Sequence, residues 1–220
     1  MAHLEPQGKK VTVPVDRNSR KLQERLPHIA SNCSLVAECY MGGEHSTSWD
    51  TFRFYGPTTS DFDHQLPDGQ GRAQERAIVS LATGPEAIPT CLAEVFQATR
   101  LIDRHAHNPV LTGFALTVQL TLLDLTGPFA TAIGAAMALH AGPRPRARRW
   151  TQQLYEAYPA IDGLLYCASM YGNAPAVALF ERGARARAIP KRPVFHRELR
   201  DAVMAGILTE TGRVIGYEVA

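Results

Sequence analysis

The chain has little net charge. Its 23 Lys and Arg stand against 21 Asp and Glu, which leaves +2. That balance excludes a protein held to nucleic acid by its overall field, though not a local basic patch. Cysteine is scarce as well. Cys33, Cys39, Cys91 and Cys167 form no CxxC pair. This argues against a disulfide scaffold or a zinc ribbon and fits reduced, mostly buried thiols in a cytoplasmic protein. Long apolar runs are missing too. The most apolar candidate, 129–141, is too short to cross a bilayer, and the polar stretch from His3 to Lys10 carries no apolar signal region. The expectation is a cytoplasmic protein without membrane contact. No internal repeat is visible. Gly42-Gly43 and Gly172 belong to no GxGxxG or Walker pattern, and no serine sits in GxSxG. Phosphate-loop chemistry and an elbow-type serine nucleophile therefore have no support.

The composition that remains is 45% hydrophobic and 20% charged over 220 residues, enough for one domain with a real core. Residues 1–30 read as an N-terminal extension, with a charged stretch at 16–26, and 31–220 as the domain itself. Strand signals fall at 34–41, 77–82, 163–167, 176–180 and 213–219. The clearest lies at 111–125, where Phe114, Leu116, Val118, Leu120 and Leu122 alternate with Ala115, Thr117, Gln119 and Thr121. Helices are expected at 90–100, 129–140, 150–158 and 197–208. Residues 44–71 form a long, aromatic-rich loop of the kind that lines a site. Strands and helices mix without βαβ alternation, so the fold class is α+β.

Glu94 opens the list of candidate site residues. Leu92, Val95, Phe96 and Thr99 make an apolar stripe that leaves Glu94 and Gln97 off it. Two helix starts compete. Thr83 with Glu86 resembles a capping box, and Thr90 follows Pro89. A start at Thr90 would put Glu94 in the first turns, where peptide dipoles favour a carboxylate by ~0.3–1 kcal/mol. The plain alternative is a solvated helix glutamate. Ser169 and Asn173 lie in a turn between two buried strands, where they either face a cleft or serve only the turn. His105-Ala106-His107 and Asp63-His64 lack a third ligand at a known spacing, so they read as surface and loop residues and no metal is expected. Arg144, Arg146, Arg148 and Arg149 read as a solvated helix start.

Four stretches, taken together, resemble the RES-domain family, named for its Arg, Glu and Ser. They are 49–57 with Trp49, Phe52, Arg53 and Tyr55, then Phe62-Asp63-His64, then Cys91-Leu92-Ala93-Glu94-Val95-Phe96, and then 162–180 with Tyr171-Gly172-Asn173-Ala174-Pro175. The match spans roughly 34–182. The resemblance implies an ADP-ribosyltransferase-like single domain, a mixed or split β-sheet flanked by helices. It implies a bacterial toxin that cleaves NAD at the nicotinamide–ribose bond and is neutralised by a cognate Xre-like helix-turn-helix antitoxin. It leaves room for a homodimer. Glu94 would be the family's glutamate, Ser169 its serine and Asn173 the asparagine that follows. The chain also departs from the pattern. The strand at 35–40 lacks the expected arginine, Ser80 stands near the place of a tyrosine, and Asp61 stands where an arginine is common.

In that chemistry NAD is the substrate. Glu94 stabilises an oxocarbenium-like ribose. Arg53 offers a bidentate fork to the pyrophosphate. Ser169 and Asn173 hydrogen-bond ribose or amide, and Tyr55 or Tyr40 stacks on a ring. Two other readings come with the departures: a catalytically impaired RES paralogue that only binds a partner, and a protein ADP-ribosyltransferase.

Overall fold

The computed structural model describes the backbone of 36–40 and residues 48–135, 139–140 and 142–220. The expected extension at 1–30, the glycines at 42–43 and the start of the long loop fall outside the described residues.

A seven-stranded mixed sheet organises the rest, in line with the α+β expectation. Its elements in chain order are β1 (Val36–Tyr40), β2 (Ile78–Thr83), α1 (Ala87–Val95), β3 (Leu101–Ile102), β4 (Val110–Phe114), β5 (Leu122–Asp124), α2 (Phe129–Ala132), α3 (Arg144–Ala157), β6 (Gly163–Cys167), β7 (Pro175–Phe180), α4 (Glu181–Arg185), β8 (Phe195–Glu198), α5 (Ala205–Ile215) and β9 (Glu218–Val219). The order across the sheet is β5-β6-β7-β2-β1-β4-β8, and β3 pairs with β9 apart from it. Only β5 with β6 runs parallel within the large sheet; the other pairs are antiparallel.

Alternation along β2 and β7 sorts the two faces of the sheet. One face presents Val79, Leu81, Val177, Leu179 and Leu165 to a core with Trp49, Phe52 and Phe114. The other face carries two helical layers. Leu154 and Tyr158, on and just past α3, pack over Ile78, Leu164, Ala178 and Phe180. Cys91 and Leu92 of α1 and Leu208 of α5 pack over Ala82 and Leu111. A gap is left between the two layers, and the middle of the sheet forms its floor. Small side chains keep that floor low: Ala176 pairs with Ala82, and Ala178 with Ser80. Gly163 lets β6 approach β7 closely, since a Cβ there would meet the Ala178 carbonyl.

Four local expectations need correction. The alternating run at 111–125 is two strands, because the chain leaves β4 after Phe114 and crosses to the far edge of the sheet to become β5. On the way Thr117 bonds to the Ala188 carbonyl and not to a neighbouring strand. The helix expected over 129–140 stops at Ala132, and Gly134 follows with φ 77°, a left-handed turn that suits glycine. Residues 197–208 begin as strand, with β8 paired to β4, and turn helical only after Asp201 caps a 3₁₀ turn. Helix α5 then runs through Ile215 to Gly216 at φ 72°, a left-handed stop, so the last strand is only two residues.

Candidate functional site

Gly84, at φ 86°, turns β2 into α1. Neither proposed cap is used. Glu86 takes the N-cap position without a side-chain bond, and the Thr90 hydroxyl donates back to the Glu86 carbonyl at 2.6 Å. Glu94 consequently sits in the last turn of α1 and not in the first. There the peptide dipoles oppose a carboxylate.

Glu94 faces the gap between the helical layers. The Met170 N–H donates to its Oε1 at 3.1 Å, and the Ser169 hydroxyl lies at 3.5 Å from the same oxygen. Burial pushes the Glu94 carboxyl above the ordinary glutamate range, and these donors and the nearby Asp61 charge only modify that.

Two cavities meet at Glu94. One, of about 220 Å³, is lined by Arg53, Ser60, Ser80, Thr90, Cys91, Tyr166 and Ala176 among others. The second, of about 270 Å³, adds Asp61, Phe62, Gln97, His140, Arg144 and Ser169. Ser60, Ser80, Val95 and Tyr166 border both. The pair falls in the size range of small-molecule sites. Tyr166 on β6 shares the cavity wall with Ser80 on β2, across the alanines of β7. Burial and the Glu94 charge raise the phenol, which therefore stays protonated.

The structure brings Glu94, Ser169 and Arg53 to this cleft. Arg53 is not free in it. Its guanidinium pairs with Asp63 and donates to the Tyr55 carbonyl at 2.6 Å. Asp63 is fully buried and also accepts from the Thr58 hydroxyl at 2.8 Å. Asn173 and Tyr55 line neither cavity. Asn173 is exposed at φ 59° in the β6–β7 turn, a conformation asparagine tolerates. Tyr55 is exposed at the loop surface. Tyr40 ends β1, and its side chain lies outside the described residues. His105 and His107 sit on an exposed turn held by Asp103.

Sequence reasoning passed over Tyr166, His140 and Arg144 as cleft residues. Tyr166 carried a usable signal, because period-two alternation puts it on the same face as Ala176 and Ser80. Arg144 carried none. Its place depends on α3 starting beside the end of α1, where its guanidinium donates to the Gln97 side chain at 3.1 Å.

A second buried polar cluster lies behind the loop. Glu181 accepts from the Tyr155 hydroxyl at 2.6 Å and from the Ala77 N–H at 3.1 Å, with His64 Nε2 at 3.3 Å. Burial alone would raise Glu181, but these donors outweigh it and hold the pKa at about 2. Burial lowers His64, so its ring is neutral. Arg182 lies 3.9 Å from the centre of the Tyr155 ring. Arg76 also turns inward, to the His64 carbonyl and Glu156.

Among the described residues no helix is long and apolar enough to cross a membrane. No curated protein sequence matches the chain. Among solved structures the chain is similar to the M. tuberculosis MbcT–MbcA toxin–antitoxin complex, at 12% identity and a TM-score of 0.48, covering 89% of this chain and 99% of that one. The RES domain model matches residues 51–201. The match leaves β1 outside and takes in Arg53, Glu94 and Ser169, and by it the chain belongs to the RES domain family.

Proposed function

We propose that the protein is a bacterial toxin that cleaves NAD at the nicotinamide–ribose bond. The observation that carries this reading is Glu94, a half-buried carboxylate raised by burial where two cavities meet. As the C1′–N bond breaks, its electron pair returns to the pyridinium nitrogen and nicotinamide leaves neutral. Positive charge builds on the ribose, and the Glu94 carboxylate stabilises it. Water then adds to C1′ and loses its proton. Ser169 and the Met170 N–H hold the carboxylate in place. Arg53 forms the cavity wall and, with Asp63, fixes the loop that carries Ser60 and Asp61. No metal enters this scheme.

The family reading brings a partner with it, an Xre-like helix-turn-helix antitoxin that neutralises the toxin. A second reading is a RES paralogue that has lost turnover and only binds. One observation favours it: the Arg53 guanidinium is already engaged by Asp63. Mixing the purified protein with NAD separates the readings. Free nicotinamide with free ADP-ribose supports the hydrolase, ADP-ribose attached to protein supports a transferase, and neither product supports the binding protein.

A further inference from the structure

An NAD site must offset the charge of a diphosphate, yet the buried cation of the cleft is spoken for. The Arg53 side chain is only 16% exposed and paired with a fully buried aspartate. Arg144 is placed differently. It lines the second cavity together with Glu94, and its side chain is 44% exposed. Its partners are the Gln97 amide oxygen at 3.1 Å and the Asp61 carboxylate at 3.4 Å. Asp61 itself is 30% exposed and lines the same cavity. This is an accessible ion pair with one loose contact, of the kind an incoming anion displaces at little cost. Further donors surround it. Thr59, Ser60 and Ser169 bring hydroxyls to the same wall. Arg148, one turn further along α3, reaches the Ser60 carbonyl.

We propose that Arg144 is the diphosphate anchor of the cleft and that Asp61 is its resident counter-ion, displaced when the dinucleotide binds. This rests on the reading of the cleft as an NAD site and assigns its polar end. The diphosphate takes the guanidinium in bidentate fashion, with the Ser60 and Ser169 hydroxyls as further donors. Asp61 swings out to solvent. Burial already raises its carboxyl, although Arg144 and Arg148 oppose the shift, so the Asp61 carboxylate loses little by leaving. The nicotinamide end then lies on the other side of Glu94, in the first cavity toward Thr90, Cys91 and Ala176.

The test is calorimetric titration of the full-length protein with ADP-ribose, which carries the diphosphate but no nicotinamide, and separately with inorganic diphosphate and with nicotinamide. Arg144→Ala is expected to weaken ADP-ribose by at least about tenfold, the usual loss for a charge-assisted contact, with nicotinamide binding and the melting temperature unchanged. Asp61→Asn removes the competitor and is expected to tighten ADP-ribose. Inorganic diphosphate that binds as tightly as ADP-ribose, with the same Arg144 dependence, marks a general anion site and overturns the dinucleotide assignment. Wild-type affinity in Arg144→Ala, or no ADP-ribose binding by the wild type, overturns the anchor. The two proposals fail separately. ADP-ribose held through Arg144 in a protein that does not consume NAD sinks the hydrolase and spares the anchor. Turnover abolished by Glu94→Gln with ADP-ribose indifferent to Arg144 does the reverse.

Discussion

Glu94 and Glu181 are the same residue in two opposite settings. Glu181 is buried among donors: a phenol, a histidine ring and a backbone amide all point at it, and its pKa is held at about 2. Glu94 is half-buried at a cavity with one amide at 3.1 Å and a hydroxyl at 3.5 Å, and burial raises it. The first carboxylate has its hydrogen-bonding needs met by the fold. The second has not, and a ligand can meet them. Burial of charge tells little by itself; the balance of donors against burial separates a structural carboxylate from a reactive one.

The largest effect that sharpens this contrast is expected from Glu94→Gln. It keeps the shape and removes the charge, and NAD turnover should fall by about 10²–10³-fold. A folded-state pKa above the unfolded value means that the ionised Glu94 costs stability at neutral pH. The amide removes that cost, so the melting temperature should hold or rise. A variant that unfolds would break the contrast, because Glu94 would then be structural as well.

Glu181→Gln should do the opposite. Removing a carboxylate that collects three donors leaves buried groups unsatisfied and should lower stability by about 3 kcal/mol, read from chemical denaturation. Turnover per folded molecule should stay near wild type. Loss of turnover in a variant that stays folded would mean that the buried cluster takes part in the chemistry.

Acid separates the two sites without mutation. Glu181 is depressed from 4.5 to about 2, so its contribution is full above pH 4.5 and is lost as the pH falls toward 2. His64, lowered by burial, works in the same direction earlier, because the unfolded ring gains its proton first as the pH drops below 6.5. Turnover needs ionised Glu94, whose raised pKa puts the acid limb of activity above the ordinary glutamate range. Activity should therefore fall on acidification while denaturation profiles still show the fold intact. Loss of both at one pH would contradict the division.

The smallest effect is expected at the β6–β7 turn. Ser169→Ala removes one weak contact to Glu94 and should slow turnover several-fold at most, a fraction of the Glu94→Gln effect. Asn173→Gly, at an exposed left-handed position that glycine also accepts, should leave both turnover and melting temperature near wild type. A large loss in Asn173→Gly would place that side chain on the substrate after all.

What the sequence made legible was local or carried by motif. Short apolar runs announced β2, β6 and β7, and the Leu-Ala-Glu-Val-Phe segment pointed to Glu94. Failures came where long-range packing decided. The alternation through 111–125 is real, but sheet topology cuts it in two, and no period reveals a crossover. Phe195–Glu198 pairs with β4, a partner far away in sequence, so its last two residues, Arg197 and Glu198, read as the start of a helix. In the site, Arg144 passed for a solvated helix start because its neighbour Gln97 lies just past the end of α1, far away in sequence. Glu181 went unremarked, since only the fold gathers Tyr155, His64 and the Ala77 amide around it. Arg53 pairs with Asp63, a contact the sequence did not reveal, because the path of the loop decides which aspartate it meets.

The most direct measurement follows nicotinamide release when purified wild-type protein and the Glu94→Gln variant are each incubated with NAD, with melting temperatures taken on the same samples. The account predicts free nicotinamide and free ADP-ribose in equal amounts from the wild type, and a rate at least about 100-fold lower from a variant that melts no earlier. Equal rates in the two proteins, or no nicotinamide from the folded wild type, would contradict it.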